Sequence, residues 1–345
     1  MKTPRFDCIV GTGGIGTGIL FELDGNRPLS RNETRLARLS PTRDYCKQHI
    51  ILHYIARILS PEVQVYPIGM VGADSAGDAL LAQMRAAGMD VRFVGRSAQK
   101  PTMYCVCMQY PDKAVCNVTT SDSACALVSG ERILQALEAL ERPLDARTLI
   151  VAAPEVPVEA RLTLLKRGKA AGAYCVSSCL VDEFADFTAG GGMQCTDLLV
   201  INEDEAAAFC GCSSENMEQR AMQCQVALLR ENPQARSIMT CGARGSYACE
   251  GRRAVHLPAQ AANVVATGGA GDAYTAGVIC GLALELDFLP ETGKPSAPEL
   301  GAVLSAEAIS VADTIAEQID RNTVLRYLKT TSGRCANEEK RASLG

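Results

Sequence analysis

The sequence lacks any apolar stretch that approaches the roughly 20 residues a membrane-spanning helix needs. A signal-peptide pattern is also missing, because the residues after Met1 lead only into a short apolar run and then glycines. Neither sign of charge is in large excess, since 34 basic and 39 acidic residues give a net charge of −5. This balance argues against nucleic-acid binding, which needs a basic surplus on one face. We therefore expect a cytoplasmic protein that binds neither membranes nor nucleic acids.

Paired metal-binding cysteine motifs are missing as well, although the chain has 16 cysteines. No C-x-x-C unit occurs, and the pairs at 105–107 and 210–212 have the wrong spacing for a zinc ribbon. His49 and His53 lie one helical turn apart, but no third ligand accompanies them. A disulfide scaffold is usually shorter and poorer in apolar residues than this chain, which is 47% hydrophobic. We expect reduced thiols that are mostly buried as small apolar side chains.

Strand and helix patterns alternate along most of the chain. Short apolar runs predict buried strands, and apolar residues at helical spacing predict the helices between them. The predicted strands cover 6–10, 63–70, 148–152, 173–177, 198–201 and 237–240, and the predicted helices cover 76–87, 158–170, 204–209 and 217–230. This alternation predicts an α/β fold in which helices cover both faces of a parallel sheet.

Two segments depart from the alternation. Strand patterns at 103–108 and 114–119 flank a turn at 110–113 and predict a hairpin. The segment 24–40 is polar and charged, and it ends at Ser40-Pro41, where an N-cap residue followed by proline predicts the start of a helix.

We interpret these departures as a small β lid on a larger body. The lid is expected to form from parts of about 12–40 and 95–125, within a single domain of residues 1–331. Residues 332–345 are expected to be a flexible tail. Because lid strands expose their edges unless something covers them, we expect a homodimer through the lid.

The most informative segment joins a glycine-rich turn to the start of a helix. It reads Asn263-Val264-Val265-Ala266-Thr267-Gly268-Gly269-Ala270-Gly271-Asp272-Ala273-Tyr274, and the helix is predicted to begin near Gly271. Glycines at a helix start let the backbone approach closely, and the unpaired N–H groups there bind anions. Asp272 in the first turn is either a favourable helix-end charge or a base directed at the same point as the anion site.

Three further motifs accompany this segment. They are Gly69-Met70-Val71-Gly72-Ala73-Asp74-Ser75-Ala76-Gly77, Asn202-Glu203-Asp204-Glu205 and Thr240-Cys241-Gly242-Ala243-Arg244-Gly245. In order and spacing, the four elements resemble those of the ribokinase-like, or PfkB, family of carbohydrate and nucleoside kinases. The resemblance covers about residues 60–290 and includes the family signature, which is roughly D-T-x-G-A-G-D-x-F.

The resemblance implies both a fold and a reaction. The fold is a ribokinase-like three-layer α/β/α sandwich with a central, mostly parallel sheet and a small β lid. The reaction is transfer of the γ-phosphoryl group of ATP, with Mg²⁺, to a hydroxyl of a small molecule, a sugar or sugar derivative before others. By the same resemblance, the backbone of Gly269, Ala270 and Gly271 forms an anion hole and Asp272 takes the hydroxyl proton. Phosphoryl transfer depends mainly on such positioning and electrostatic stabilisation.

The resemblance also assigns the cofactor side of the site. Asn202 and Glu205 are the candidates for organising Mg²⁺ and phosphate, partly through water, because Mg²⁺ keeps much of its hydration shell. The nucleotide is expected along Thr240, Gly242, Gly245 and Thr267.

The chain departs from the family pattern in three places. Ala266 stands where the signature begins with aspartate, which puts potassium activation in doubt. Tyr274 replaces the usual phenylalanine and adds a hydrogen-bonding tip to a packing residue. The family's G-G-x-x-x-N sugar motif is missing near 40–49.

The candidates for acceptor binding are therefore chosen by residue type and not by this motif. Polar residues that suit a polyol or an anionic substrate are Asp24, Asn26, Asp44 and Lys47, and the alternative for each is a solvated lid or helix face. The glycines Gly13 and Gly14 are expected to shape the exit of the first strand beside the acceptor.

Parts of the sequence also fit functions other than a kinase. Gly11-Thr12-Gly13-Gly14-Ile15-Gly16 fits the G-x-G-x-x-G fingerprint of an NAD-dependent oxidoreductase. Its helix would meet Gly25 and Pro28 within about three turns, and no second strand ending in an acid follows. A nucleoside kinase of the same fold and a catalytically silent sugar-sensing protein are the remaining alternatives. Retention of Asp272 beside the glycines favours an enzyme over the silent protein.

Overall fold

The structure is a computed structural model that describes residues 3–212, 214–291 and 293–342, with side chains described as far as residue 331. The strands are β1 Cys8–Thr12, β2 Gly16–Leu23, β3 Ala37–Tyr45, β4 Gln64–Gly72, β5 Val94–Ser97, β6 Met103–Gln109, β7 Val115–Thr119, β8 Thr148–Ala152, β9 Tyr174–Ser177, β10 Leu198–Asn202, β11 Arg236–Thr240, β12 Ser246–Glu250 and β13 Arg253–Leu257.

The helices lie between and after these strands. They are α1 Lys47–Leu59, α2 Ser75–Ala86, α3 Gly130–Glu138, α4 Val158–Ala170, α5 Phe184–Ala189, α6 Gly192–Cys195, α7 Glu203–Cys210, α8 Met217–Glu231, α9 Ala270–Ala283, α10 Ala297–Ala308 and α11 Arg321–Ala342. In the described ranges no helix has both the length and the apolar character that crossing a bilayer would demand. The segment predicted as a tail is helical in α11 up to Ala342, and 343–345 lie outside the described residues.

The central sheet has the strand order β13-β12-β11-β10-β9-β8-β1-β4-β5 within the described chain. Neighbouring strands from β11 to β5 run parallel, and β12 and β13 add an antiparallel edge. The predicted parallel sheet is thus confirmed, and the antiparallel edge had not been predicted.

Alternate residues of the central strands enter two different cores. Leu149 and Val151 of β8 belong to a cluster with α1, α2, α9 and α10, whereas Ile150 and Ala152 belong to a cluster with α3, α4 and α8. Helices therefore cover both faces of the sheet, which is why its strands are nearly continuous apolar runs. The predicted three-layer α/β/α arrangement is confirmed.

The second sheet is the small lid, with the order β3-β2-β6-β7. β2 and β6 run parallel, and the outer strands pair antiparallel to them. The predicted hairpin is present as β6 and β7, with Val106 opposite Val118. All four strands fall within 16–45 and 103–119, so the first lid segment runs about five residues beyond the expected limit of 40.

The predicted helix start at Ser40-Pro41 is wrong. These residues lie inside β3, at the point where its pairing with β2 shifts register between Ile19 and Phe21. Proline is tolerated in an edge strand and at a bulge, because its missing N–H interrupts no regular ladder there. The helix begins six residues later, at Lys47, with Cys46 in the N-cap position.

The oxidoreductase interpretation fails at the same end of the chain. The glycines of 11–16 lead from β1 directly into β2, so the helix that a dinucleotide-binding turn must open does not follow.

The sheet topology sets the place of the functional site. From β1, the chain reaches β4 on one side and, later, β8 on the other. At the carboxyl ends of β1 and β8 the N–H of Gly14 donates to the carbonyl of Pro154 at 2.9 Å. Ligands of open α/β sheets bind in the crevice at such a reversal of strand order.

The fifteen described cysteines form no disulfide, and most of them are buried. This agrees with the expectation of reduced, buried thiols for the described part of the chain.

Candidate active site

Two adjoining cavities lie at the carboxyl edge of the central sheet. The lid cavity, of about 580 Å³, lies between the lid strands and the first turns of α1 and α9. The groove, of about 700 Å³, lies between the loops after β11 and β13 and helices α9 and α10. Thr267, Ala270 and Gly271 line both cavities, so the glycine turn forms the boundary between them.

The glycine turn presents a helix N-terminus to both cavities. Gly269, in the N-cap position, has φ of 75°, and a Cβ there would come within 2.5 Å of the Thr314 carbonyl oxygen. Gly271 faces open space, because a Cβ there would meet nothing within 4 Å. The N–H groups of Gly269, Gly271 and Asp272 donate to no acceptor in the described chain, whereas that of Ala270 donates to Thr267 at 3.4 Å. Free N–H groups at a helix start form an anion site.

Asp272 lies in the first turn of α9 beside these N–H groups, with its side chain 15% exposed. Burial raises the pKa of its carboxyl from 3.8 to about 6, against the opposing charge of Lys47 and with the help of Asp44 and Glu205. Lys47 Nζ lies 4.0 Å from Asp272 Oδ1, and this carboxylate keeps the pKa of the ammonium above its usual range. The pair is therefore ionised near neutral pH, and the Asp272 carboxyl has a pKa close to that pH.

Glu155 is the residue of the lid cavity that the sequence analysis missed. It follows β8 and has φ of 75°, a backbone conformation that is strained for any residue but glycine. Its Oε2 accepts the backbone N–H of Lys47 at 3.1 Å. Burial raises the pKa of Glu155 from 4.5 to about 7, with Lys47 opposing and Asp272 adding to the rise. An acid directly after a buried parallel strand was the available signal, since such strand ends meet at one edge.

The predicted acceptor residues separate into two groups. Asp44 and Lys47 line the lid cavity. Asp24 and Asn26 are exposed near the β2–β3 connection and are not among its lining residues, and Asn26 Oδ1 accepts the Asp112 N–H at 3.2 Å.

Gly13 and Gly14 act beneath the cavity floor. A Cβ on Gly14 would come within 2.7 Å of Glu155 Cβ, and one on Gly13 would come within 2.9 Å of Gln48 Cβ. These glycines make room for the Glu155 carboxyl and for the start of α1, which is a packing role beside the pocket.

Asn202 and Glu205 form the cap of α7 at the edge of the lid cavity. Asn202 Oδ1 accepts the N–H groups of Asp204 at 3.0 Å and Glu205 at 2.8 Å, while Glu205 Oε2 accepts the Asn202 N–H at 2.8 Å. Burial raises the pKa of Glu205, and Lys47 opposes the rise. Asp204 lines the cavity with no role in this cap beyond its backbone N–H.

The predicted nucleotide residues Thr240, Gly242, Gly245 and Thr267 all line the groove. Thr267 Oγ1 also donates to the Lys113 carbonyl at 2.8 Å, which ties the glycine turn to the lid hairpin.

Two departures from the family signature line the cavities, Tyr274 the groove and Ala266 the lid cavity. Tyr274 and Ser246 share a hydrogen bond of 2.8 Å between their hydroxyls, so the Tyr274 hydroxyl forms a hydrogen bond as predicted. Ala266 is 7% exposed, and its N–H donates to the Ile309 carbonyl at 3.4 Å.

The comparisons with known proteins agree with this geometry. The model of the pfkB family of carbohydrate kinases matches residues 51–320, and the chain belongs to that family. No curated protein matches the sequence.

Solved structures resemble the fold over nearly the whole chain. A ribokinase from Giardia lamblia has a TM-score of 0.78 at 18% identity, with 93% of this chain and 99% of that chain covered. A nucleoside kinase from Burkholderia thailandensis, solved with inosine, has a TM-score of 0.73 at 15% identity, with coverage of 94% and 99%. An E. coli protein in complex with ATP and Mg²⁺ has a TM-score of 0.71 at 15% identity, with coverage of 94% and 100%.

Proposed function

We propose that this protein is an ATP-dependent kinase that transfers the γ-phosphoryl group to a hydroxyl of a sugar or sugar derivative. The observation that carries the proposal is the position of Asp272. Asp272 lines the lid cavity directly after Gly271, which borders both cavities, and it lies beside unpaired N–H groups of the α9 N-terminus. A base next to an anion site is what hydroxyl phosphorylation requires, and a protein that only binds a ligand has no need of it.

The groove fits a nucleotide by size and by chemistry. Its volume of about 700 Å³ falls in the range of small-molecule sites. Pro258, Val264 and Ile309 supply apolar surface for the base, and Thr267 lies at the phosphate end beside the free N–H groups. ATP bound along the groove would direct its terminal phosphate toward the lid cavity.

Oxygen donors at the α7 cap fit a hydrated Mg²⁺. Asn202 Oδ1 and Glu205 Oε2 already accept backbone N–H groups, so these residues would hold the ion through bridging waters, with the Asp204 carboxylate nearby. When bound, the ion supplies positive charge that neutralises the phosphate oxygens.

The chain's own residues then divide the work. Asp272 accepts the hydroxyl proton at its carboxylate. The N–H groups of Gly269, Gly271 and Asp272 stabilise negative charge on the transferred group. The N–H of Ala270 is less available for this role, because it already donates to Thr267. Lys47 keeps Asp272 ionised and adds a positive charge at the point of transfer.

The lining of the lid cavity favours a polyol as acceptor. Asp44, Glu155, Gln109 and Asn117 offer carboxylate and amide groups that hydrogen-bond to several hydroxyls. Among the described lining residues Tyr45 is the one aromatic side chain, so little surface is offered for stacking a nucleobase. A sugar is therefore favoured over a nucleoside.

The outer face of the lid supports a homodimer. Leu39, Tyr104 and Val118 are 61%, 39% and 65% exposed on three strands of the lid. Such an apolar sheet surface favours contact with a second copy. The unpaired cysteines fit a reducing compartment, and we place the protein in the cytoplasm.

The experiment that tests the proposal measures ADP release with ATP and Mg²⁺ against sugars, sugar phosphates, nucleosides and other polyols. Acceptor-dependent ADP release with a sugar or sugar phosphate, confirmed by detection of the phosphorylated product, is the expected result. Stimulation by nucleosides alone would replace the sugar with a nucleoside. If the protein binds ATP but none of the tested acceptors stimulates ADP release, the proposal is contradicted.

A further inference from the structure

Two thiols and a carboxylate meet on the wall of the lid cavity. Cys105 and Cys107 are alternate residues of β6 and project to the same face, and Asp44 lies opposite them near the end of β3. Their Sγ atoms lie 2.6 and 2.8 Å from Asp44 Oδ2 and 4.0 Å from each other. All three side chains line the cavity, although each residue is at most 8% exposed.

From this arrangement we propose that Asp44, Cys105 and Cys107 form a binding site for a thiophilic divalent cation such as Zn²⁺. The three ligand atoms lie within 4.8 Å of one another and belong to the one cluster of this kind in the described chain. Sulfur and carboxylate ligands suit Zn²⁺, whereas Mg²⁺ prefers oxygen ligands and keeps its waters.

The geometry is close to that of a tetrahedral ion. Metal–sulfur bonds of about 2.3 Å place two thiolates about 3.8 Å apart, near the 4.0 Å observed. The sulfur–oxygen separation in such a site is about 3.5 Å, so the Asp44 carboxylate moves outward by about 1 Å on binding. The three-ligand set leaves a fourth position that faces the cavity, as in zinc sites that bind a water or a ligand.

A neighbouring side chain gives independent support for an occupant of the lid cavity on this face of β6. Gln109 lies two residues beyond Cys107 on the same face of β6 and is 5% exposed, and it lines the cavity. Its Nε2 atom is buried without a hydrogen-bond acceptor among the described residues. A ligand oxygen bound in the cavity would supply an acceptor that the described residues do not.

Binding exchanges protons for the metal. Both thiols donate a hydrogen bond to Asp44 Oδ2, so each carries a proton in the absence of metal. Zn²⁺ displaces both protons to solvent and bonds to the two thiolates and the carboxylate, with no change in oxidation state. Affinity therefore increases with pH.

The site lies inside the cavity that the proposed function assigns to the acceptor, and this consequence rests on that function. A cation held by Asp44 removes a group that would hydrogen-bond to the acceptor and fills part of its space. Zn²⁺ is then an inhibitor that competes with the acceptor and leaves the affinity for ATP unchanged.

The test measures metal binding by the reduced full-length chain, without any turnover. Co²⁺ is added to the metal-free protein, thiolate-to-cobalt charge-transfer absorption is followed, and Zn²⁺ is then added to displace the cobalt. The variants are Cys105→Ser, Cys107→Ser and Asp44→Asn. The matched control is Cys116→Ser, which removes an exposed thiol from the neighbouring strand β7.

We expect absorption from one cobalt ion in the wild type and in Cys116→Ser, and at least tenfold weaker binding in the three ligand variants. Loss of an outer-shell partner alone weakens metal sites about 10–100-fold, and loss of a ligand weakens them at least as much. Near-UV circular dichroism establishes that each variant is folded. If a serine variant unfolds, Asp44→Asn, which keeps both thiols, still tests the site.

Two results would overturn the metal site: no thiolate absorption in the wild type, or unchanged affinity in the folded ligand variants. Binding that is lost in Cys116→Ser would assign the metal to the surface thiol and equally reject the site. Metal binding that persists in a protein without kinase activity would contradict the proposed function and leave the metal site standing.

Discussion

Lys47 and Asp272 face each other in the lid cavity, with Nζ 4.0 Å from Oδ1. They come from the first turns of α1 and α9, elements more than 200 residues apart in the chain. Burial raises the pKa of Asp272 to about 6, and Lys47 restrains that rise. The two residues therefore set the pH range over which the proposed base is active.

The pH dependence of turnover tests this relationship. In the wild type, kcat/KM should fall as the pH drops below about 6, because Asp272 becomes protonated. Lys47→Met removes the charge that lowers the pKa of Asp272, so the acidic limb should move to higher pH by about one unit. A Lys47→Arg variant, which keeps the charge, is the control. If the acidic limb stays in place in Lys47→Met, Lys47 does not set the pKa of the catalytic group.

Glu155 offers a second test of the lid cavity, because one variant removes only its charge and another removes its whole side chain. Glu155→Gln keeps an acceptor oxygen for the Lys47 N–H but removes the charge, and we expect about a tenfold higher KM for the acceptor with little change in the KM for ATP.

The companion change Glu155→Gly removes the side chain and also relieves the strain of φ at 75°. Activity should fall further, while the free energy of unfolding stays within about 1 kcal/mol of the wild type. Large destabilisation in urea titrations of Glu155→Gly would show that the carboxyl is structural and not mainly functional.

The buried histidines of α1 predict how the fold responds to acid. Burial lowers the pKa of His49 to about 3 and that of His53 to about 4, and none of their ring nitrogens has a hydrogen-bond partner in the described chain. In the unfolded chain both have pKa values near 6.5. The unfolded state therefore binds more protons, and stability is lost as the pH falls from about 6.5 toward 4.

His49→Leu should raise the free energy of unfolding at pH 4 by about 2 kcal/mol relative to the wild type, with a smaller effect at pH 7.5. The control is His256→Gln, which alters an exposed histidine on β13 and should leave the acid transition unchanged. Equal effects of His49→Leu at both pH values would rule out protonation as the cause.

The lid surface predicts the oligomeric state. If two copies meet there, multi-angle light scattering at micromolar concentration should give twice the mass of one chain. Val118→Lys adds a charge to the lid face and should yield monomers. Val226→Lys changes a half-exposed valine of similar type on α8 and should leave the dimer intact. A wild-type monomer would exclude the lid dimer.

Much of the central sheet could be predicted from sequence because its strands are buried on both faces. A continuous apolar run predicted strand β8 with its observed bounds, and helical spacing did the same for helix α4. The antiparallel edge β12–β13 was missed because an edge strand carries mixed residues, such as Arg253 and His256, without a clear alternation. The false helix start at Ser40-Pro41 arose because capping signals are local, whereas pairing with β2 decided the outcome.

The candidate site was predictable where one segment holds several groups, and less so where distant segments meet. Asp272 and its glycines lie together in sequence and form the predicted turn. Asp44 and Cys105 come into contact only because β3 and β6 flank β2 in the lid, a pairing no local pattern reveals. Asp24 and Asn26 have the same polar character as Asp44 but lie in the exposed connection, so residue type alone did not distinguish them.

The proposed role of Asp272 as general base of phosphoryl transfer depends on its carboxylate, which a single substitution removes. Turnover and ATP binding are compared in the wild type and Asp272→Asn, which keeps the shape of the side chain but cannot accept the proton. We expect turnover to fall by about 10²-fold or more, with the Kd for ATP within about threefold of the wild type. Wild-type turnover in a folded Asp272→Asn variant would exclude Asp272 as the general base.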